Sequence, residues 1–108
     1  MAKLDYEQVK KELLAFRDAR DWQHFHTYTS LARALNIEAS EVEKVFQWQE
    51  DVTELTPKQK DDLALEVADV LTYAYYLCAK MDVDPNEIVQ KKLHINQDRH
   101  WSFGAQEE

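Results

Sequence analysis

Residues that favour turns are scarce in this chain of 108 residues, which contains one glycine, Gly104, and two prolines, Pro57 and Pro85. Tight hairpins depend on glycine, proline and asparagine at fixed positions, so the sequence offers few places where two strands could be joined. Apolar residues instead recur every three or four positions, which is the period of an amphipathic helix. We therefore predict an all-α fold.

The apolar pattern divides the chain into four helices. The first is predicted over residues 5–20, with Val9, Leu13 and Phe16 on its inner face. The second is predicted over 30–50, the third from 57 to 80, and the fourth from 85 onward. Residues 1–100 are predicted to form a single domain and residues 101–108 a flexible tail.

The third and fourth helices carry clear start signals. Thr56, Pro57 and Gln59 have the order of an N-cap, a first-turn proline and a capping-box partner. The fourth helix repeats this order with another three residues: Asp84, Pro85 and Glu87. Since independent positions agree in each set, both helix starts are well determined by the sequence alone.

Charge and cysteine content limit the partners of the protein. The chain has 21 acidic and 13 basic residues, a formal net charge of −8, and no basic cluster that could bind the backbone of a nucleic acid. The amino terminus lacks the apolar run of a signal peptide, and no segment approaches the roughly 20 apolar residues of a membrane span. With Cys78 as the only cysteine, we expect a cytoplasmic protein without an internal disulfide.

Two acidic pairs interrupt the apolar faces of the second and third helices. Glu38 is centred on the stripe formed by Leu31, Val42 and Val45, and Glu41 falls about 60° to one side of it.

On the third helix, Glu66 and Asp69 repeat this arrangement. The apolar stripe of that helix comprises Val70, Tyr73 and Leu77. One such pair could simply be solvated, but two pairs in matching phase indicate a shared environment.

Four inward-facing carboxylates require a cationic partner, because burying an unpaired carboxylate costs several kcal/mol. Mg²⁺ suits this set because it prefers carboxylate oxygens and leaves part of its coordination shell for phosphates. A di-iron or di-manganese bundle would normally add a histidine three residues after a glutamate, and no such pair exists in the sequence. Zinc is also disfavoured, since there is one cysteine and no pair of histidines four residues apart.

Further residues suggest a site for a nucleotide. Trp22, His26 and Trp48 lie at the ends of the segments that flank the first acidic pair, and aromatic faces can sandwich a nucleobase. The alternative for each is packing in the core or at an interface. The fourth helix carries a polar stripe suited to phosphate oxygens, or else to solvent: Lys92, Asn96 and Arg99.

Taken together, these segments resemble the MazG-like all-α nucleoside triphosphate pyrophosphohydrolases, especially the small branch that includes the dCTP pyrophosphatases. The resemblance is carried by "RDWQHFH" (20–26), "IEASEVEKVFQW" (37–48), "LEVADVLTYAYYL" (65–77) and "KKLHINQDR" (91–99). The signature of the family, Glu-x-x-Glu followed after a gap by Glu-x-x-Asp, is matched with 24 residues between Glu41 and Glu66.

The resemblance implies a bundle of four to five helices that forms a homodimer or homotetramer. It implies Mg²⁺, with Mn²⁺ able to substitute, held by four residues that are also catalytic: Glu38, Glu41, Glu66 and Asp69. It places the base against Trp22, Trp48 and His26, and the phosphates and sugar against a further group: Tyr73, Lys92, Asn96 and Arg99.

The activity implied by the resemblance is water attack on the phosphate nearest the sugar, which releases a nucleoside monophosphate and pyrophosphate. The expected substrate is a dCTP-like deoxynucleotide, with a broader range of deoxynucleotides as the alternative, and the expected role is housecleaning of the nucleotide pool. Two other functions fit the sequence: a nucleotide-binding sensor without turnover, and a helical interaction module whose acidic pairs are neutralised across an interface.

Overall fold

The computed structural model describes residues 3–98 and confirms the all-α prediction. Four α-helices and one short 3₁₀-helix account for nearly all regular structure in this range. They follow in the order α1 (Tyr6–Ala19), the 3₁₀-helix (Gln23–Phe25), α2 (Tyr28–Lys44), α3 (Pro57–Met81) and α4 (Pro85–Gln97). The predicted tail, residues 101–108, lies outside the described residues.

Side-chain caps fix the starts of the helices. At α3, the Gln59 amide donates to the Thr56 hydroxyl (3.1 Å) and the Thr56 amide donates to the Gln59 side chain (3.0 Å), which confirms the predicted capping box. At α4, the Asp84 carboxylate accepts from the amides of Asn86 (2.8 Å) and Glu87 (3.1 Å). Asp84 is thus the predicted N-cap, but Glu87 returns no bond to it among the described hydrogen bonds.

The predicted length of the second helix was wrong, because α2 ends at Lys44 and not near residue 50. Beyond Lys44 the backbone bonds tighten to a three-residue spacing, with Phe46 donating to Glu43 (3.0 Å) and Gln47 to Lys44 (3.1 Å). Trp48 then adopts a left-handed conformation, with φ of 71°, which no helix can continue. The apolar periodicity continues through this turn, so the sequence pattern does not show where the helix ends.

Packing of α2 against α3 forms the main helix–helix contact of the domain, and α1 lies against α3 at fewer points. Leu31 of α2 is only 2% exposed, and Tyr76 and Cys78 of α3 are also buried. Tyr6 anchors the start of α1 through an edge-to-face contact with Tyr75, with ring centroids 5.0 Å apart. The apolar core therefore lies beside α3, close to its carboxyl-terminal half.

The apolar side chains of α4 remain largely outside this core. Ile88, Val89, Leu93 and Ile95 are all exposed in the single chain. Over the described range, no helix combines the length and the apolar character needed to span a membrane.

Replacing Leu31 with alanine tests this description of the core. Because Leu31 is 2% exposed, Leu31→Ala should lower the free energy of unfolding by about 2–5 kcal/mol through lost burial and a residual cavity. Urea denaturation at fixed protein concentration measures the change. Leu4→Ala is the matched control, since Leu4 is 74% exposed and should change stability by about 0.5 kcal/mol or less. Equal effects of the two substitutions would contradict the assignment.

Candidate active site

The two predicted acidic pairs lie on facing helices, since α2 carries Glu38 and Glu41 and α3 carries Glu66 and Asp69. Glu38 and Asp69 line one cavity of about 460 Å³. Glu41 and Glu66 line a neighbouring hollow of about 230 Å³. The contact between α2 and α3 therefore places each member of one pair beside a member of the other.

The other three carboxylates lie close enough to Glu38 to affect its pKa. Burial of Glu38 is the main cause that raises its pKa, and the charges of Asp69, Glu66 and Glu41 raise it further. All three partners thus act on Glu38, and we call the four residues the acidic cluster. Lys44 pairs with Glu41 (Nζ to Oε1, 3.2 Å), but neither side chain is buried, so this ion pair contributes little.

The donor chemistry of the acidic cluster fits a hard divalent cation, because every ligand it offers is a carboxylate oxygen. Mutual repulsion around Glu38 is the strain that a bound cation would relieve. Within residues 3–98, however, no three His, Cys, Asp or Glu side chains converge closely enough to form a ready-made coordination shell. The acidic cluster therefore offers the oxygen ligands and the negative charge that such an ion needs, but its carboxylates do not lie close enough together to form a coordination shell.

An aromatic wall completes the larger cavity. Phe16 and Trp22 meet edge to face, with ring centroids 5.8 Å apart, and the Arg20 guanidinium lies 3.6 Å from the Phe16 centroid. Tyr73 and His26 line the same cavity. Its volume and largely apolar lining suit a planar heterocycle. Two predicted base contacts, Trp22 and His26, and the predicted sugar or phosphate contact Tyr73 are thus brought together beside the acidic cluster.

His26 is held in place by packing. Its ring meets Tyr76 edge to face, with centroids 4.5 Å apart, while the Tyr76 hydroxyl donates to the Leu13 carbonyl (3.0 Å). Burial lowers the pKa of His26, and the nearby cations Arg17 and Lys80 lower it further. The imidazole is therefore neutral at pH 7, and it adds no positive charge beside the acidic cluster.

Other predicted residues are not brought to this cavity. Trp48 is 93% exposed on the turn after α2 and does not line it. Lys92 and Asn96 lie on α4, outside the cavity lining. Arg99 falls outside the described residues, so its predicted role is not addressed by the structure.

Sequence reasoning missed part of the cavity lining. Val9, Leu13 and Phe16 were predicted as the inner face of the first helix, but none of them is buried, and all three line the cavity. Tyr76 was not selected, although it follows Tyr73 by three residues and Asp69 by seven, which places all three on one face of α3. That spacing is the signal that could have identified it.

The fold and the site define a class of protein: an all-α domain in which two facing helices carry paired carboxylates beside an aromatic cavity. The sequence model of the MazG-like family matches residues 34–106, which is more than half of the chain. The chain therefore belongs to the MazG-like family.

Similar proteins agree with this assignment. The chain is 33% identical to dCTP pyrophosphatase 1 from Mus musculus and from Homo sapiens, over 87% of its own length and 58% of theirs. It therefore spans somewhat more than half of each of these relatives. A crystal structure of a pyrophosphatase from Archaeoglobus fulgidus superposes with a TM-score of 0.82 and 30% identity, covering 94% of this chain and 97% of that one.

Removing the charge of Glu38 should stabilise the fold. In chelator-treated buffer at neutral pH, Glu38→Gln should raise the free energy of unfolding by about 0.2–1 kcal/mol, because it removes a partly desolvated charge and relieves like-charge repulsion at a partly solvated position. Because the pKa of Glu38 is raised in the folded state, the wild type loses stability as pH rises through that pKa. The difference in free energy of unfolding between Glu38→Gln and the wild type should therefore disappear toward acidic pH.

Denaturation curves at several pH values measure this difference. Glu43→Gln is the control, since Glu43 is an exposed carboxylate on the same helix. A Glu38→Gln protein that is less stable than wild type at neutral pH would show that the four carboxylates do not repel one another significantly.

Proposed function

We propose that this protein is a metal-dependent nucleoside triphosphate pyrophosphohydrolase that prefers dCTP-like deoxynucleotides. The observation that carries the proposal is the position of Glu38 and Asp69, which belong to the acidic cluster and also line the aromatic cavity. A ligand with a planar base and a polyanionic tail needs both environments side by side. Its mammalian relatives are dCTP pyrophosphatases, which supports this choice.

The base is assigned to the aromatic end of the cavity. Trp22 is 44% exposed and presents an indole surface on which a heterocycle can stack, while neutral His26 borders it. Tyr73 lines the same cavity one helical turn after Asp69, and we assign the sugar to this position. The triphosphate then extends toward Glu38 and Asp69.

The acidic cluster is assigned to Mg²⁺, which Mn²⁺ can replace. When bound, the ion supplies the positive charge that a triphosphate needs to approach four carboxylates. Glu38, Glu41, Glu66 and Asp69 are the proposed ligands, and their oxygen donors suit such an ion. Without it, the cluster and the substrate would repel each other.

The proposed reaction is attack by water on the phosphorus nearest the sugar. The bond from this phosphorus to the oxygen that bridges the next phosphate breaks, so the products are a nucleoside monophosphate and pyrophosphate. A glutamate of the acidic cluster accepts the proton of the attacking water. The cavity orients the substrate for this step by holding its base, and the reaction would serve housecleaning of the cytoplasmic nucleotide pool.

We further propose that the protein is a homodimer or homotetramer. Within residues 3–98, only four apolar side chains are buried in the single chain: Tyr6, Leu31, Tyr76 and Cys78. By contrast, Leu65 on α3 is 69% exposed, and the apolar residues of α4 are exposed as well. Association would bury these faces. In the assembly, residues of α4 and the segment after it are the proposed phosphate contacts: Lys92, Asn96 and Arg99.

Incubation with Mg²⁺ and a panel of nucleoside triphosphates tests the activity directly. Pyrophosphate should be released in equal amount to the nucleoside monophosphate, fastest with dCTP or a close analogue, and a chelator should stop turnover. Pyrophosphate and orthophosphate are measured separately. Release of orthophosphate, or no turnover of any triphosphate, would refute the proposed reaction.

Substitutions in the acidic cluster test the assigned site. Glu38→Gln and Glu66→Gln should each lower kcat/KM at least about 100-fold, because each loses a carboxylate from the proposed metal site. Glu43→Gln, on the exposed face of α2, should retain wild-type activity. Circular dichroism confirms that all three variants are folded. Full activity of either cluster variant would place the metal elsewhere.

A further inference from the structure

Glu12 is a carboxylate of the cavity lining that the proposed reaction does not use. It lies on α1 and lines the cavity together with three apolar residues of the same helix, Val9, Leu13 and Phe16. Phe16 follows Glu12 by four residues, so the two are neighbours on one face of the helix, and Phe16 belongs to the aromatic wall. The wall that α1 contributes is therefore apolar except for one charged group.

No cation within α1 neutralises Glu12. The residues three and four positions away on either side are Gln8, Val9, Ala15 and Phe16, none of which is charged. Among residues 3–98, Glu12 takes part in none of the ion pairs and accepts no side-chain hydrogen bond. The oxygens of this carboxylate are therefore available to a ligand in the cavity.

Glu12 stands apart from the acidic cluster, although it lines the same cavity. The charges of the other three cluster members raise the pKa of Glu38, and Glu12 is not among the groups that do so. Its neighbour on the cavity wall is Phe16, at the aromatic end, where the base is proposed to bind. A further carboxylate beside the triphosphate would repel it, whereas beside the base it meets a neutral ring with hydrogen-bond donors of its own.

An ionised carboxylate distinguishes bases by the group at the edge of the ring. It only accepts hydrogen bonds, so it attracts an exocyclic amino group and repels a carbonyl oxygen. Cytosine carries an amino group at the position where uracil and thymine carry a carbonyl oxygen. Glutamate and aspartate read cytosine in DNA through this same amino group.

We propose that Glu12 selects nucleotides whose base carries an amino group, by accepting a hydrogen bond from that group. This inference rests on the proposed function, because it assigns a further residue to the same site. Stacking on an aromatic side chain such as Trp22 tolerates every base, since each has a π-face. The aromatic wall therefore supplies affinity, and Glu12 supplies the preference for cytosine over uracil and thymine.

Kinetics of Glu12→Gln with dCTP and dUTP test this selection. The wild type should favour dCTP in kcat/KM, and the substitution should reduce the dCTP to dUTP ratio about 5- to 30-fold, because a glutamine amide has the same shape and can donate to the uracil carbonyl. The effect is moderate because Glu12 is exposed and its contact stays open to water. Activity toward dUTP should itself rise, which loss of a structural contact would not produce.

Glu7→Gln is the matched control on α1. Glu7 pairs with Lys10 (3.0 Å) and does not line the cavity, so this variant should keep the wild-type ratio. Two results with Glu12→Gln would overturn the proposal but leave the proposed function standing. An unchanged ratio would show that the Glu12 carboxylate is only solvated, and an equal loss of activity with both nucleotides would show that it acts on the phosphates or the metal ion.

Binding of nucleoside monophosphates tests Glu12 without turnover. dCMP and dUMP carry the two bases but have no phosphoanhydride bond, so a chemical-shift titration reports affinity alone. The wild type should bind dCMP more tightly, and Glu12→Gln should bind the two with affinities within about twofold of each other. Equal affinities in the wild type, or no binding of either nucleotide, would overturn the proposal. A preference for dCMP that Glu12→Gln loses would support it even if the wild type hydrolysed no triphosphate.

Discussion

Packing of α2 against α3, which brings four carboxylates together, is the interaction on which the rest of this structure depends. The contact between α2 and α3 brings Glu38 close enough to Glu41, Glu66 and Asp69 for all three to raise its pKa. Burial of apolar side chains such as Leu31 holds the two helices together and offsets this cost. The cluster remains tolerable because none of its members is fully buried, and Asp69 is exposed.

The cavity exists because α1 is held against α3 at a few points. Tyr6 packs on Tyr75, and the Tyr76 hydroxyl binds the Leu13 carbonyl, but α1 does not fill the space toward Glu38. The connection after α1 then adds Trp22 and His26 to the lining of this cavity. An apolar pocket and an acidic cluster thus meet at one boundary, a combination that suits a ligand with a base at one end and phosphates at the other.

Much of the fold and part of the site could be predicted from the sequence, because local rules govern them. The capping box of Thr56 and Gln59 needs only neighbouring atoms, and the phase of Glu38 and Glu66 follows from helical geometry. Trp48 was placed wrongly within a helix, since the tightened bonds after Lys44 leave no mark on the apolar period. Likewise, no local pattern tells whether Phe16 covers a core or lines a cavity.

The sequence by itself determined that the chain is helical, where α3 and α4 begin, and that two helices each direct an acidic pair along an apolar face. These properties depend on residues three or four positions apart. Only the tertiary structure decided that the two pairs meet, that Trp22, His26 and Tyr73 line one cavity beside them, and that Trp48 is exposed and does not line it. The reason is physical: such contacts join residues tens of positions apart, and they depend on how whole helices pack against one another.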